Sequence, residues 1–257
     1  MKQGIFCLSF DVEGDWGRRR SRNVASLLPL ISQEMTTVEK MVSMLNARSI
    51  VATWAIVGAL FEINKNLIHH IEEKGHEIAS HSMTHPDFFR LTREQAMQEI
   101  RQCITMARRH NIRLSSFIYP YNHVKYLDIL TEYGFNAYRK PQHRIFENHI
   151  GFFLPRSYRA EQVDHVISIP QSLYLPSNRG VKRLIPKRMR FVLAKKGIDE
   201  AVSKGEIFHL WTHPIDFIDQ SGLLLHEFAH ILTYAGKLRS QGKLAIQTMA
   251  QIARVFS

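Results

Sequence analysis

Three clusters of acidic residues and histidines supply the side chains that metal-assisted hydrolysis requires. Asp11 and Glu13 lie near the start of the sequence, His81 and His85 are four residues apart, and His213 precedes a proline. Two imidazoles and one carboxylate can hold a zinc ion and leave a coordination position open for water. A further carboxylate can then act as a base, and a histidine can act as an acid toward the leaving group.

Each cluster taken alone also has a simpler interpretation. An H-x-x-x-H spacing is weak evidence for a metal site, and an acidic residue after a strand is often a helix cap or a turn former. A histidine before a proline can be an ordinary turn residue. Because all three clusters directly follow predicted strands, a shared site is favoured over three unrelated local roles.

Alternating strand and helix patterns predict how these clusters are positioned. The clusters follow predicted strands at residues 5–10, 77–80 and 207–211. Strand–helix alternation is typical of a parallel sheet, and we find no repeat or linker that would divide the chain. We therefore predict one α/β domain spanning residues 1–257 that closes into a barrel, with its chemistry at the carboxyl ends of the strands.

The composition excludes several classes of protein. Apolar residues make up 45% of the chain and charged residues 22%, which is a globular balance. Two cysteines exclude a disulfide framework and a cysteine-based zinc ribbon. We find no secretory leader pattern at the amino terminus and no apolar run of about 18 residues, so we expect a cytoplasmic protein.

Four ordered segments resemble the motifs of the polysaccharide deacetylase family, which is also called the NodB-homology domain or carbohydrate esterase family 4. They are FDVEG at 10–14, GHEIASHSMTHPD at 75–87, FIYPYN at 117–122 and LWTH at 210–213. The resemblance implies a divergent member with a distorted (β/α) barrel and a divalent metal, usually zinc. It also implies hydrolysis of an acetyl or similar acyl group on a sugar nitrogen.

The resemblance assigns roles to the first two clusters. His81 and His85 match the family's two metal-binding histidines. The family's first motif has adjacent aspartates, the first a base and the second a ligand, but Val12 occupies the second position here. One branch spaces its acids as D-x-D or D-x-E, so Asp11 is assigned as base and Glu13 as metal ligand, with the reverse assignment left open.

The remaining motifs match the family in part. His213 matches the histidine that protonates the departing amine, and the backbone N–H of Tyr121 matches the group that helps to hold the oxyanion. Ile118 stands where the family has an arginine that orients the base. The family's aspartate-rich fourth motif is not visible. Arg139, at the end of the next predicted strand, is a candidate replacement for the arginine, and a solvent-facing arginine is the alternative.

A second metal motif competes with this interpretation. Residues 226–230 read H-E-F-A-H, which is the signature of zinc proteases on a helix. Such proteases usually take a third ligand from downstream, and no Asp, Glu or His follows His230. We therefore do not expect a protease, and replacing His226 or His230 should leave the activity intact.

The net charge of +11 points to an anionic partner. Eight basic residues and no acidic ones lie between residues 179 and 196, and four arginines lie between residues 18 and 22. We expect a sugar-containing, anionic substrate, or peripheral association with an acidic membrane. A solvated basic face is the alternative. Nucleic acid is not expected, because neither segment has interleaved aromatic residues or a recognised binding motif.

The sequence thus predicts a metal-dependent hydrolase that removes an N-acyl group from a sugar-containing substrate, such as a precursor of a cell-surface polysaccharide or lipopolysaccharide. Two alternatives stay open. One is hydrolysis of another C–N bond on the same fold, as in a deformylase or an allantoinase. The other is a glycan-binding relative without activity, suggested by the missing arginine.

Overall fold

The computed structural model describes residues 3–14, 16, 27–142, 155–177, 184–186, 188–218 and 222–256. Its strands are β1 (Gly4–Val12), β2 (Thr53–Ile56), β3 (Glu77–Ser80), β4 (Ser116–Phe117), β5 (Ala137–Lys140), β6 (Glu161–Val163), β7 (Val166–Pro170), β8 (Leu173–Tyr174), β9 (Ile207–Thr212) and β10 (Leu244–Ile246). Its helices are α1 (Leu27–Asn46), α2 (Leu60–Ile63), α3 (Lys65–Glu73), α4 (Arg93–Arg109), α5 (Leu127–Glu132), α6 (Met189–Lys204), α7 (Leu223–Ser240) and α8 (Met249–Phe256).

The strands form one sheet that curls into an incomplete barrel. The order is β6-β7-β5-β4-β3-β2-β1-β9-β8, and β10 pairs with the beginning of β1. Among the described strands, all pairs are parallel except β6 with β7. This α/β architecture confirms the predicted barrel-like fold. Parallel pairing also places the carboxyl ends of β1, β3, β4, β5 and β9 on one side of the barrel.

The two faces of β1 show how the sheet divides the core. Phe6, Leu8 and Phe10 join a large apolar cluster that packs against the outer helices. Cys7, on the other face of the strand, belongs instead to a smaller cluster inside the barrel, against which Ile5 also packs. That inner cluster takes small or β-branched residues from several strands and is joined by Met249, Ile252 and Ala253 of α8. Helix α8 therefore fills the amino-terminal end of the barrel and leaves the carboxyl end for polar residues.

Helix α6 packs closely against β9 because it has a glycine at the contact. A Cβ atom added to Gly197 would lie 2.1 Å from a ring carbon of Phe208. Phe208 is fully buried, so its ring has little room to move. Gly236 of α7 differs, because an added Cβ there meets no heavy atom within 4 Å.

The predicted basic segment is only partly exposed. Arg190 is fully buried, and it donates from Nε to the carbonyl oxygen of Pro176 (2.8 Å) and from Nη2 to that of Ser177 (3.0 Å). The expectation of a basic surface is therefore wrong for Arg190, which is structural. Arg188 is exposed, and Lys195 pairs with Asp199 at 2.5 Å. Residues 18–22, 179–183 and 187 lie outside the described residues.

None of the helices in the described part of the chain combines the length and the apolarity needed to cross a membrane.

Substitution Gly197→Ala should lower the free energy of unfolding by about 2 kcal/mol, because the methyl group overlaps the Phe208 ring. Gly236→Ala is the matched control and should be neutral or stabilising by up to about 1 kcal/mol, since alanine favours a helix over glycine. Urea denaturation measures both changes. Equal effects of the two substitutions would contradict the packing described here.

Candidate active site

The carboxyl ends of four strands bring the predicted residues together. Asp11 lies near the end of β1, His81 directly follows β3, Arg139 lies in β5, and His213 directly follows β9. A cavity of about 470 Å³ opens between them. Its lining includes Asp11, Glu13, His85, Tyr121, Trp211 and His213. Of the seven residues selected from the sequence, five line the cavity. His81 directly follows β3 at the rim of the cavity, and Arg139 lies beneath it against Asp11.

Glu13, His81 and His85 form a set of donors that fits a divalent cation. Oε1 of Glu13 lies 3.4 Å from Nε2 of His81 and 3.1 Å from Nε2 of His85. Ligands of a tetrahedral zinc ion are about 3.3 Å apart, given bond lengths near 2.0 Å. The Nδ1 atom of His81 donates to the Ile118 carbonyl oxygen at 2.7 Å. In neutral His81 the lone pair on Nε2 therefore faces Glu13, an arrangement that a cation stabilises.

An unusual backbone conformation places His85 beside His81. Ser82 and His85 have positive φ angles of 61° and 58°, which non-glycine residues seldom adopt. The His85 amide donates to Oγ of Ser82 at 3.0 Å, and Glu99 accepts from the amides of Met83 (3.0 Å) and Thr84 (2.8 Å). The turn brings the two imidazole centroids to 4.8 Å. Glu99 was not selected from the sequence, because only the folded turn reveals its role.

Asp11 is paired with Arg139 instead of facing the imidazoles. The guanidinium donates to both carboxylate oxygens, at 2.7 and 2.6 Å, and both residues are buried. It also donates to Oγ of Ser9 (3.3 Å) and Oδ1 of Asn122 (3.0 Å) and lies 4.3 Å from the Trp211 ring. Arg139 thus makes the ion pair with Asp11 that the apolar Ile118 side chain cannot make. It is buried, so the alternative of a solvent-facing arginine is wrong. The geometry favours Glu13 over Asp11 as the metal ligand.

Charges across the cavity oppose the effect of burial on each ionisable group. Burial acts to raise the pKa of Asp11, but the Arg139 guanidinium outweighs it and lowers this pKa. Burial also acts to raise the pKa of Glu13, yet His213 and the two other imidazoles hold it well below its usual range. For His213 burial acts to lower the pKa, whereas Glu13, Asp216 and Asp11 raise it well above the ordinary value. These shifts favour the ionised forms of Asp11 and Glu13 and the protonated form of His213.

His213 lies between the two acids of β1 and a third carboxylate. Its Nε2 is 3.4 Å from Oε1 of Glu13 and 3.9 Å from Oδ2 of Asp11. Its Nδ1 is 3.4 Å from Oδ2 of Asp216, which also accepts a hydrogen bond from the Tyr174 hydroxyl. Asp216 and Tyr174 were missed in the sequence. An aspartate three residues after His213, within a short 3₁₀ turn, was the available signal.

Tyr121 lies across the cavity from His213's strand. Its ring centroid is 4.8 Å from that of His85, and it has a φ angle of 58° directly after Pro120. Asn122 also has a positive φ of 57°. Three residues that line the cavity, His85, Tyr121 and Asn122, therefore have positive φ angles, as strained residues at functional sites often do.

The family model described as polysaccharide deacetylase matches residues 32–138. The match contains the turn with His81 and His85 and the segment with Tyr121. Over these residues the chain matches the polysaccharide deacetylase family. The acids of β1 and His213 lie outside the matched segment, so their roles depend on the motifs and on the geometry.

Solved structures agree with this assignment at the level of the fold. A candidate polysaccharide deacetylase from Mycobacterium smegmatis superposes with a TM-score of 0.75 and 15% identity, covering 99% of this chain and 91% of that one. One from Pseudomonas aeruginosa PAO1 gives 0.73 and 15%, with coverages of 97% and 89%. The Puue allantoinase gives 0.74 and 15%, also with 97% and 89%. At 15% identity these likenesses show a shared fold, and the low values fit a divergent relative of the matched family.

Replacing Arg139 with methionine should lower the free energy of unfolding by about 3 kcal/mol, because it leaves the Asp11 charge buried without a partner. Asp11→Asn in the same background should recover part of this loss. Lys140→Met is the matched control, since Lys140 makes an exposed ion pair with Glu161, and it should cost at most about 1 kcal/mol. Urea denaturation in the presence of chelator gives the four values of the cycle. If the changes in unfolding free energy caused by Arg139→Met and Asp11→Asn simply added in the double variant, the proposed coupling between the two residues would be refuted.

Proposed function

We propose that this protein is a metal-dependent hydrolase that removes an N-acyl group, in the first instance acetyl, from a sugar-containing substrate. One observation carries the proposal: Glu13, His81 and His85 converge beside an Asp11–Arg139 pair and His213 in a single cavity. The match to the polysaccharide deacetylase family supports hydrolysis and a sugar-containing substrate.

Glu13, His81 and His85 would hold the cation, which we propose to be zinc because two imidazoles and a carboxylate suit that ion. When bound, such a cation acidifies water and polarises the substrate carbonyl group. Asp11 is ionised and accepts the proton of the attacking water. Arg139 fixes the direction of the Asp11 carboxylate through two hydrogen bonds, so the base is oriented before substrate arrives.

His213 is proposed as the acid. It is protonated because of its acidic neighbours, and Asp216 orients its Nδ1 side, so Nε2 can give a proton to the departing nitrogen. The backbone N–H of Tyr121 is proposed to donate to the oxygen that becomes negative in the transition state. The Trp211 and Tyr174 rings, 4.8 Å apart, supply a partly apolar wall for the sugar.

The finer identity of the substrate is also a proposal. The basic segments favour an anionic sugar compound, such as a precursor of a cell-surface polysaccharide or lipopolysaccharide. We further propose that residues 1–257 act as one catalytic domain, that the protein works in the cytoplasm, and that an acidic membrane surface is a possible place of encounter with substrate.

Hydrolysis of another C–N bond is a second candidate, favoured by the structural likeness to an allantoinase. A glycan-binding role without catalysis has less support, because it was suggested by a missing arginine and Arg139 contacts Asp11. Incubation with N-acetylated amino sugars, with N-formylated ones and with allantoin separates these functions. Release of acetate supports the proposal, release of formate or opening of allantoin favours the second candidate, and inertness toward all three refutes catalysis on these substrates.

Substitution His81→Ala should reduce turnover at least a thousandfold, because it removes a cation donor from the cavity. Chelation of the wild-type protein should have the same effect, and added zinc should restore turnover only in the wild type. His226→Gln is the control, since His226 lies on α7 outside the cavity, and it should retain full turnover. Activity that survives both His81→Ala and chelation would disprove the metal-dependent mechanism.

Raising the ionic strength from 0.05 to 0.5 M should lower kcat/KM several-fold on a phosphorylated sugar substrate and hardly change it on a neutral one, because salt screens long-range attraction. Changing Arg18, Arg19 and Arg20 together to glutamine should weaken the salt dependence if that basic segment attracts the substrate. The same salt dependence on charged and neutral substrates would argue against an anionic substrate.

A further inference from the structure

Helix α7 carries a second group of metal-ligand side chains, separate from the cavity. One nitrogen each of His226 and His230 and one carboxylate oxygen of Glu227 lie within 4.8 Å of one another. Nδ1 of His226 is 3.7 Å from Oε1 of Glu227, and the two imidazole centroids are 4.3 Å apart. None of the three residues lines the cavity that holds Glu13 and His85.

Glu227 is the unusual member of this group. It is only 2% exposed, and its Oε2 atom is buried without a hydrogen-bond partner among the described residues. Taking a carboxylate out of water without partners is costly. A cation beside Oε1 would offset that cost, and Nδ1 of His226 lies 3.7 Å from that oxygen.

The two histidines have no role in the core that would explain their positions. His226 has 65% of its side chain exposed, and His230 is exposed with its ring edge against Phe191 at 5.9 Å. Residues four apart in a helix project from the same side, so both imidazoles face solvent together. The opposite side of the helix, with Phe228 and Ile231, is fixed in the core. The group thus sits on a rigid support.

We propose that His226, Glu227 and His230 form a second binding site for a divalent transition-metal ion such as zinc. Two imidazole nitrogens and one carboxylate oxygen are the donors, and solvent completes the coordination on the exposed side. The donor atoms need to approach from 3.7–4.8 Å to about 3.3 Å, which rotation of the two exposed side chains provides. This site needs no downstream ligand and implies no protease activity.

Zinc titration of the chelator-treated, full-length protein by calorimetry tests the site. The wild type should bind two zinc ions. The double variant His226→Gln, His230→Gln should lose one of them, or bind it more than tenfold more weakly, while its turnover stays unchanged. His81→Ala should lose the other ion and keep this one. Glu227→Gln should weaken the α7 site while the histidine pair is intact. His69→Gln with His70→Gln, two neighbouring histidines of α3, is the matched control and should bind as the wild type does.

Two results would overturn the proposal: a single zinc ion that His81→Ala abolishes, or a second ion whose affinity is unchanged in the His226→Gln, His230→Gln variant. The double variant carries the test even if Glu227→Gln affects folding, because both histidines are exposed. This test is independent of the proposed function. If the cavity binds no zinc, His81→Ala leaves zinc binding unchanged, whereas the His226→Gln, His230→Gln variant still reports on the α7 site.

Discussion

The buried pair of Asp11 and Arg139 determines the arrangement of the whole cavity. A buried carboxylate needs a partner, and the guanidinium satisfies both of its oxygens. The two residues belong to β1 and β5, which are separated in the sheet by β2, β3 and β4. They can meet only because the sheet curls, so the ion pair and the curvature of the barrel depend on each other. With Asp11 engaged, Glu13, which directly follows β1, is left to face the imidazoles of His81 and His85.

Three carboxylates at this end of the barrel therefore differ in their contacts, although His213 lies 3.4 Å from both Glu13 and Asp216. Asp11 binds a permanently charged guanidinium, Glu13 contacts the imidazoles of His81 and His85, and Asp216 contacts His213. Strand alternation places Cys7, Ser9 and Asp11 on one face of β1. Along that face the side chains change from apolar to polar toward the carboxyl end. The buried Ser9 hydroxyl also has a polar partner, because it lies 2.8 Å from Nε2 of His209.

Local sequence patterns predicted much of the fold. They failed where a position depends on contacts between residues that are distant in the sequence. Strand β3 and the capping box of Thr92 and Gln95 follow from the sequence alone. The residues TTVE at 36–39 predict a capping box at a helix start, but this prediction is wrong, because α1 begins at Leu27 and the Thr36 hydroxyl donates to the Ser32 carbonyl within the helix. The acids and histidines proposed for the site were found by type and spacing and Tyr121 by the family resemblance, whereas Tyr174 and Asp216 of the cavity were missed. The partners Glu99 and Asn122 were not predicted, because Glu99 comes from helix α4 and Asn122 from a turn with positive φ angles, and both reach the site only in the folded chain.

The contact between His81 and the Ile118 carbonyl has a consequence for how such a site can vary. The imidazole is oriented by a main-chain oxygen, which every amino acid possesses. The side chain at position 118 is therefore not needed to orient this histidine, which we propose as a metal ligand. An arginine at position 118 could therefore be replaced by an apolar residue in one evolutionary step, and an arginine could arise in β5 in another. Throughout, the main-chain carbonyl at position 118 would keep the proton of His81 on Nδ1.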